Sequence, residues 1–216
     1  PLYYSHTVTR IKGEKRLEGV TIAEVDDARN PIPGTEREIP CDTLLLSVGL
    51  IPENELSRGC GVELSPITGG PVVNESLQTE VDGIFACGNA LHVHDLVDYV
   101  SSESALAGRQ AAHYLKGEAR GKESGIAVIP GNGVRYTVPA TVTPSRLDGP
   151  LDIRMRVGGV YKDCTLCVDF DGQRVMTLKK RILTPGEMET VTIPLSFFEK
   201  HPDCATITVQ VEEGSR

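Results

Sequence analysis

Short segments of mixed apolar and polar side chains rich in Val, Ile and Thr read as strands over residues 6–12, 17–25 and 39–48, with Gly13-Glu14-Lys15 turning the first into the second. The third closes on Leu44-Leu45-Leu46-Ser47-Val48, a run too continuously apolar for a half-wet sheet, so the expectation is a strand buried on both faces. A second such run, Gly83-Ile84-Phe85-Ala86-Cys87, follows a strand-like 74–79 and stops at Gly88-Asn89. One helix is predicted, beginning between Asp98 and Ser102 and ending near Leu115. Asp98, Ser101 and Ser102 are candidate caps, and Glu103 complements the helix dipole. Ser104, Gly108, Ala111 and Leu115 form a narrow face of small residues suited to close packing on a sheet or cofactor.

Beyond residue 125 the period shortens. Alternating segments at 135–143, 151–157, 164–170, 173–183, 189–195 and 205–212, parted by Gly, Pro and Asp turns, predict an all-β sandwich of about 90 residues. Only 196–201 reads as a helical turn. The polar, glycine-bearing stretch 116–125 separates the two patterns, and the charge changes there too. Residues 1–125 hold 11 Lys+Arg against 19 Asp+Glu, and residues 126–216 hold 11 against 11.

The formal charge of −8 leaves no broad positive field for a nucleic-acid backbone. The longest apolar run, at 43–51, is about half the roughly 20 residues of a membrane-spanning helix, so no span is expected. With no leader pattern and six scattered cysteines, the chain reads as a reduced, cytoplasmic protein. The first residues look like an internal start.

Chemistry concentrates at Thr79-Glu80-Val81-Asp82-Gly83-Ile84-Phe85-Ala86-Cys87-Gly88-Asn89. A buried strand leaving through Gly and a polar residue, just ahead of a helix whose N–H groups point outward, is the ligand edge of an α/β sheet. Val48-Gly49-Leu50-Ile51-Pro52-Glu53-Asn54 is a second strand exit. His92-x-His94 with Asp95 and Asp98 has metal-ligand residue types, but four ligands of assured geometry are missing, so it is read as a loop and no metal is assigned. Cys164-Thr165-Leu166-Cys167 has redox spacing, yet on a strand its two sulfurs point to opposite faces, which favours structural thiols. Gly131-Asn132-Gly133 and Gly59-Cys60-Gly61 each lack the third glycine of a dinucleotide loop.

Taken in order, these elements resemble the flavin-dependent pyridine nucleotide-disulfide oxidoreductases. Gly49 and Pro52 match the Gly-x-x-Pro that leaves that superfamily's NAD domain, and residues 73–89 match its second FAD motif. The run from Leu91 to Val100, with Pro185-Gly186-Glu187-Met188, is similar to bacterial NAD(FAD)-dependent dehydrogenases related to anaerobic glycerol-3-phosphate oxidation. The resemblance implies a strand-rich α+β chain made of C-terminal remnants of Rossmann-like NAD and FAD domains followed by the sandwich. It divides at 1–52, 53–125 and 126–216. Its implied cofactors are FAD and NAD(P). Gly88 and Asn89 are placed at the ribityl side, with Asn89 where the family usually has Asp, and the Tyr99 and Val100 main chain faces the flavin pyrimidine edge. Neither glycine-rich βαβ unit is present, so the chain is expected to be inert alone, with the upstream FAD- and NAD-binding portions as its partners. A partner subunit or a second copy would dock on the sandwich. The competing expectation is a non-catalytic interaction module whose sandwich binds a protein or a carbohydrate.

Overall fold

Apolar residues on alternate positions of short strands drive most of the observed architecture, in a computed structural model that describes residues 1–117 and 125–213. The expected boundary near 125 abuts residues 118–124, which lie outside the described residues. The chain divides into two compact units, Pro1–Gly49 and Leu50–Arg216.

The first unit is the expected meander. Strands β1 (His6–Lys12), β2 (Gly19–Glu24) and β3 (Arg37–Pro40) pair antiparallel in that order. Gly13 has φ +115°, and a Cβ there would lie 1.9 Å from the Arg16 carbonyl oxygen, so glycine is required at this turn. The third strand is shorter than its pattern predicts. Residues 41–50 are irregular, and Leu45, Leu46 and Val48 are exposed. A strand buried on both faces needs a sheet to join and a layer packed over each face, and the described residues of this unit offer the run neither.

In the second unit, the run 83–87 is likewise not a sheet strand. It folds back on 77–79 as a local hairpin, through Ala86 N–H to the Leu77 carbonyl (2.9 Å) and Thr79 N–H to the Ile84 carbonyl (2.9 Å). A short helix α1 (Glu55–Gly59) precedes it, and α2 (Val97–Leu115) follows. The later strands are β4 (Ile126–Pro130), β5 (Val134–Val138), β6 (Thr141–Val142), β7 (Leu151–Val157), β8 (Tyr161–Phe170), β9 (Gln173–Leu183), β10 (Glu189–Ile193) and β11 (Thr206–Glu212). A helical turn α3 (Leu195–Lys200) precedes β11. They form a three-stranded sheet, β10-β7-β5, and a five-stranded sheet, β6-β4-β11-β8-β9, in which β4 and β11 are parallel.

Both sheets contribute to one apolar core, with Ile153, Met155, Val157 and Val191 from the first and Leu166, Val168, Ile207 and Val209 from the second. The other face of the three-stranded sheet is also covered. Tyr136 and Val138 of β5 cluster with Val73, Leu77, Ala86, Leu91 and Ala107, so residues on either side of 118–124 share a core. Among the described residues no helix is long and apolar enough to cross a membrane.

Cys164 and Cys167 both lie on β8, buried and outside any disulfide, with burial pushing both thiols up. Maleimide labelling under native conditions should therefore modify exposed Cys60 rapidly and leave Cys164 and Cys167 unmodified until the protein unfolds. Mass spectrometry of the labelled peptides checks this.

Candidate functional site

Helix α2 begins at Val97, earlier than the sequence predicts, because Leu96 in extended conformation is its N-cap. A leucine cannot cap, and no side chain accepts from the first turn, so Asp98, Ser101 and Ser102 do not play the capping role expected of them. Tyr99 N–H is taken by the Leu96 carbonyl at 3.2 Å. Val100 lies one step deeper, where α-helical pairing returns its amide to Leu96. The amides left open are those of Val97 and Asp98, flanked by the exposed side chains of Leu96 and Val97. The buried positions of the helix are Glu103 and Ala107. The small-residue stripe is not its packing face, for Gly108 is exposed and a Cβ there would meet nothing within 4 Å.

Against these first turns sits a single 3₁₀ turn, Gly88–Ala90. Gly88 has φ +65°, and a Cβ on it would come within 3.3 Å of Val100 Cγ1. Gly88→Ala should therefore cost about 1–2 kcal/mol from the left-handed backbone alone, readable as a shift in the urea midpoint at unchanged slope. Asn89 is exposed. Its Oδ1 accepts the His94 N–H at 3.1 Å, while its Nδ2 group has no partner among the described residues. The turn is further pinned from below by buried Asn54, whose Nδ2 donates to the Ala90 carbonyl at 2.7 Å and the Gly69 carbonyl at 3.0 Å.

Beneath the turn lies a buried polar network that pattern reading does not reveal. The Glu103 side chain is fully buried. Its Oε1 accepts from Gly88 N–H (2.7 Å) and His94 Nε2 (3.1 Å), and its Oε2 from His92 Nε2 (2.9 Å) and Arg154 (3.0 Å). Burial opposes ionisation of Glu103, but the hydrogen bonds donated by the two histidines outweigh it and bring the carboxyl down to about 2. As an ionised carboxylate it can only accept, which places the proton of both rings on Nε2. Burial lowers the His92 pKa, keeping that ring neutral, and the Nδ1 atoms of both rings have no partner.

His92, His94 and Glu103 are of metal-ligating type, and their candidate ligand atoms lie within 4.8 Å of one another. Each Glu103 oxygen, however, already accepts two hydrogen bonds, and Arg154 stands beside them. The Glu103 carboxylate is thus fully occupied within the protein, while the outer ring nitrogens Nδ1 of both histidines stay unpartnered. Asp95, grouped with the histidines in the sequence, turns away to Arg156 and accepts Met188 N–H at 2.6 Å. Asp98 is exposed on the first turn of α2.

Glu103, Arg154 and Arg156 are the residues that sequence reasoning missed. Arg154 and Arg156 alternate with Ile153, Met155 and Val157 along β7, a pattern that ordinarily marks a solvated face. Here that face is covered by the 88–103 segment. Arg156 also donates to the Val93 carbonyl (3.0 Å) and the Pro185 carbonyl (3.2 Å), which brings Pro185-Gly186-Glu187-Met188 against the loop.

The free amides, the open Asn89 amide group and the close Gly88 backbone form a donor edge suited to the acceptor-rich face of a dinucleotide. Among known families, the model for pyridine nucleotide-disulphide oxidoreductases matches residues 2–134. The chain belongs to that family. Its similar relatives include thioredoxin reductase of Treponema pallidum, 27% identical over 114 residues, which are 52% of this chain and 34% of the relative. Ferredoxin–NADP reductase of Picrophilus torridus is 25% identical over 111 residues, 51% of this chain and 32% of the relative. Mitochondrial dihydrolipoyl dehydrogenase of Caenorhabditis elegans is 32% identical over 99 residues, 45% and 19% respectively. The matched stretch thus spans about a third or less of each relative. Members of the pyridine nucleotide-disulphide oxidoreductase family use FAD and NAD(P).

Proposed function

We propose that this chain supplies the ribityl and flavin side of the FAD site in a flavin-dependent, NAD(P)-linked oxidoreductase. The observation that supports it most is the uncapped start of α2 set against the Gly88–Ala90 turn, with Asn89 presenting an unpartnered amide group beside it. Gly88 admits close approach of the cofactor, Asn89 contacts the ribityl side, and the main chain of the first turn, from Val97 through Tyr99 and Val100, lays its positive dipole end toward the pyrimidine edge. FAD bound there would supply the two-electron exchange with a nicotinamide. The chain's own part is to orient the flavin, favour its electron-rich reduced form and keep water off one side.

The glycine-rich units that hold the pyrophosphates belong, in this reading, to upstream portions of the same polypeptide, and the 216-residue chain alone is inactive. Within the family, the 91–100 run and Pro185–Met188 point to the dehydrogenases related to anaerobic glycerol-3-phosphate oxidation. The two-sheet C-terminal region, a β-sandwich in this reading, serves as the docking face for a partner subunit or a second copy, and the enzyme works in the cytoplasm.

The complete enzyme, purified and examined by visible absorbance, should carry the flavin bands or acquire them on adding FAD. A folded, colourless product that takes up no FAD would overturn the assignment in favour of an interaction module.

A further inference from the structure

A second polar site lies where α2, the 75–77 turn, the 146–152 segment and Arg154 of β7 enclose a cavity of about 350 Å³, near the lower end of the range for small-molecule pockets. It is separate from the proposed flavin edge, for none of residues 88–100 lines it. Three guanidinium groups do, those of Arg109, Arg146 and Arg154. Arg154 is only 9% exposed, and the single hydrogen bond of its side chain among the described residues runs from Nη1 to Glu103 Oε2 at 3.0 Å. Its Nε is buried and has no partner. A guanidinium carries Nε–H and one Nη2–H side by side on the edge away from Nη1, so a planar two-donor fork is left over at the cavity. An unmet buried donor is costly, and a planar pair of acceptors satisfies this one.

The acids of the cavity bear on which ion enters. Buried Glu75 has Oε2 on the Thr143 N–H at 3.0 Å and Oε1 3.6 Å from Arg146. Burial pushes its carboxyl up, which lessens its opposition to an anion. Asp148 and Asp152 are exposed, and Asp152 accepts the Thr192 hydroxyl at 2.6 Å. Water weakens the field of exposed acids far more than that of a buried guanidinium. A cation would face three guanidinium groups, and a phosphate dianion would bring more charge against Glu75 than one carboxylate does. We propose that this cavity binds a small organic carboxylate, held on the Nε–Nη2 edge of Arg154 with Arg109 and Arg146 alongside. Arg154 then joins the ligand on one edge to Glu103 on the other.

Calorimetric titration of the complete enzyme with succinate, in a buffer free of other carboxylates, tests this. Inorganic phosphate and the neutral diamide succinamide serve as comparisons at equal ionic strength. Succinate should bind saturably with a Kd of about 1 mM or tighter, phosphate more weakly and succinamide not at all. Arg154→Lys keeps a cation for Glu103 but loses the fork, and should weaken succinate about tenfold or more. Glu75→Gln keeps an acceptor for the Thr143 N–H while removing a negative charge, so it should tighten succinate severalfold in a protein that still melts cooperatively. Glu75 lies outside the Glu103 network, so its result decides the matter even where Arg154→Lys fails to fold. Absence of succinate binding overturns the site, and phosphate binding as tight as succinate overturns the carboxylate preference. Succinate binding that Glu75→Gln leaves unchanged or weakens, or that a folded Arg154→Lys leaves unchanged, overturns the assignment to this cavity.

Discussion

Glu103→Ala should destabilise the Leu50–Arg216 unit by about 3–5 kcal/mol, the range for removing one partner of a buried ion pair. The substitution strips four donors of their acceptor at once: Gly88 N–H, both imidazole Nε2–H groups and the Arg154 guanidinium. The largest part of the loss is the uncompensated charge of Arg154, which is itself buried. The double variant Glu103→Leu with Arg154→Leu removes both charges together and should cost less than Glu103→Ala alone. Urea denaturation of the three proteins at neutral pH checks the order.

The same network makes the protein acid-sensitive. Glu103 is held at about 2 against an ordinary 4.5, so its contribution is complete above 4.5 and disappears as pH falls from 4.5 to 2. Holding the carboxyl that far down contributes about 3 kcal/mol at neutral pH. His92 acts in the same direction. The folded state withholds a proton that the unfolded chain binds below about 6.5, so stability already declines as pH drops through that value. Denaturation midpoints measured from pH 7 to 3 should fall in the unsubstituted protein and fall less steeply below 4.5 in Glu103→Ala.

Gly70→Ala should be comparably severe for a steric reason. An added Cβ would lie 1.7 Å from the Leu91 carbonyl oxygen, 2.5 Å from its carbon and 2.8 Å from the Ala90 oxygen. All three are main-chain atoms, so no rotamer change relieves the overlap. The 65–71 loop would have to part from the Gly88–Ala90 turn and weaken the Asn54 bridge to Gly69 and Ala90. The cost should reach or exceed the top of the roughly 1–3 kcal/mol seen for overpacked interiors. In the complete enzyme, flavin retention should fall with it, whereas Gly108→Ala, whose Cβ meets nothing on an exposed helix position, should leave flavin retention unchanged and raise stability by about 1 kcal/mol. Melting temperature and flavin absorbance of the two variants give the comparison.

The strands of the C-terminal region are legible in the sequence because each alternates cleanly and ends at a turn. β7 and β9 match the predicted ranges, 135–143 is instead split at Pro139-Ala140 into β5 and β6 on different sheets, and the remaining strands differ by a few residues at their ends. The continuously apolar runs at 44–48 and 83–87 carry a strand signal that only a surrounding sheet can realise; among the described residues 44–48 joins no sheet and 83–87 finds only the short 77–79 segment. β4 (Ile126–Pro130) escapes pattern reading as an apolar run ahead of Gly131, since its parallel partner β11 lies some 80 residues away. At the site, Gly88 and Asn89 are readable as the end of a motif. The Glu103 network is not, because a glutamate in a helix, two histidines in a loop and an arginine on a strand become one feature only when β7 turns its charged face inward.

The central claim is that the start of α2 and the Gly88–Ala90 turn meet a flavin, and amide hydrogen exchange of the complete enzyme with and without FAD tests it most directly. The account predicts that FAD slows exchange at Val97 and Asp98, the amides left open in this structure, and leaves Tyr99, already bonded to Leu96, little changed. FAD binding that slows exchange elsewhere while leaving residues 88–98 untouched would contradict it.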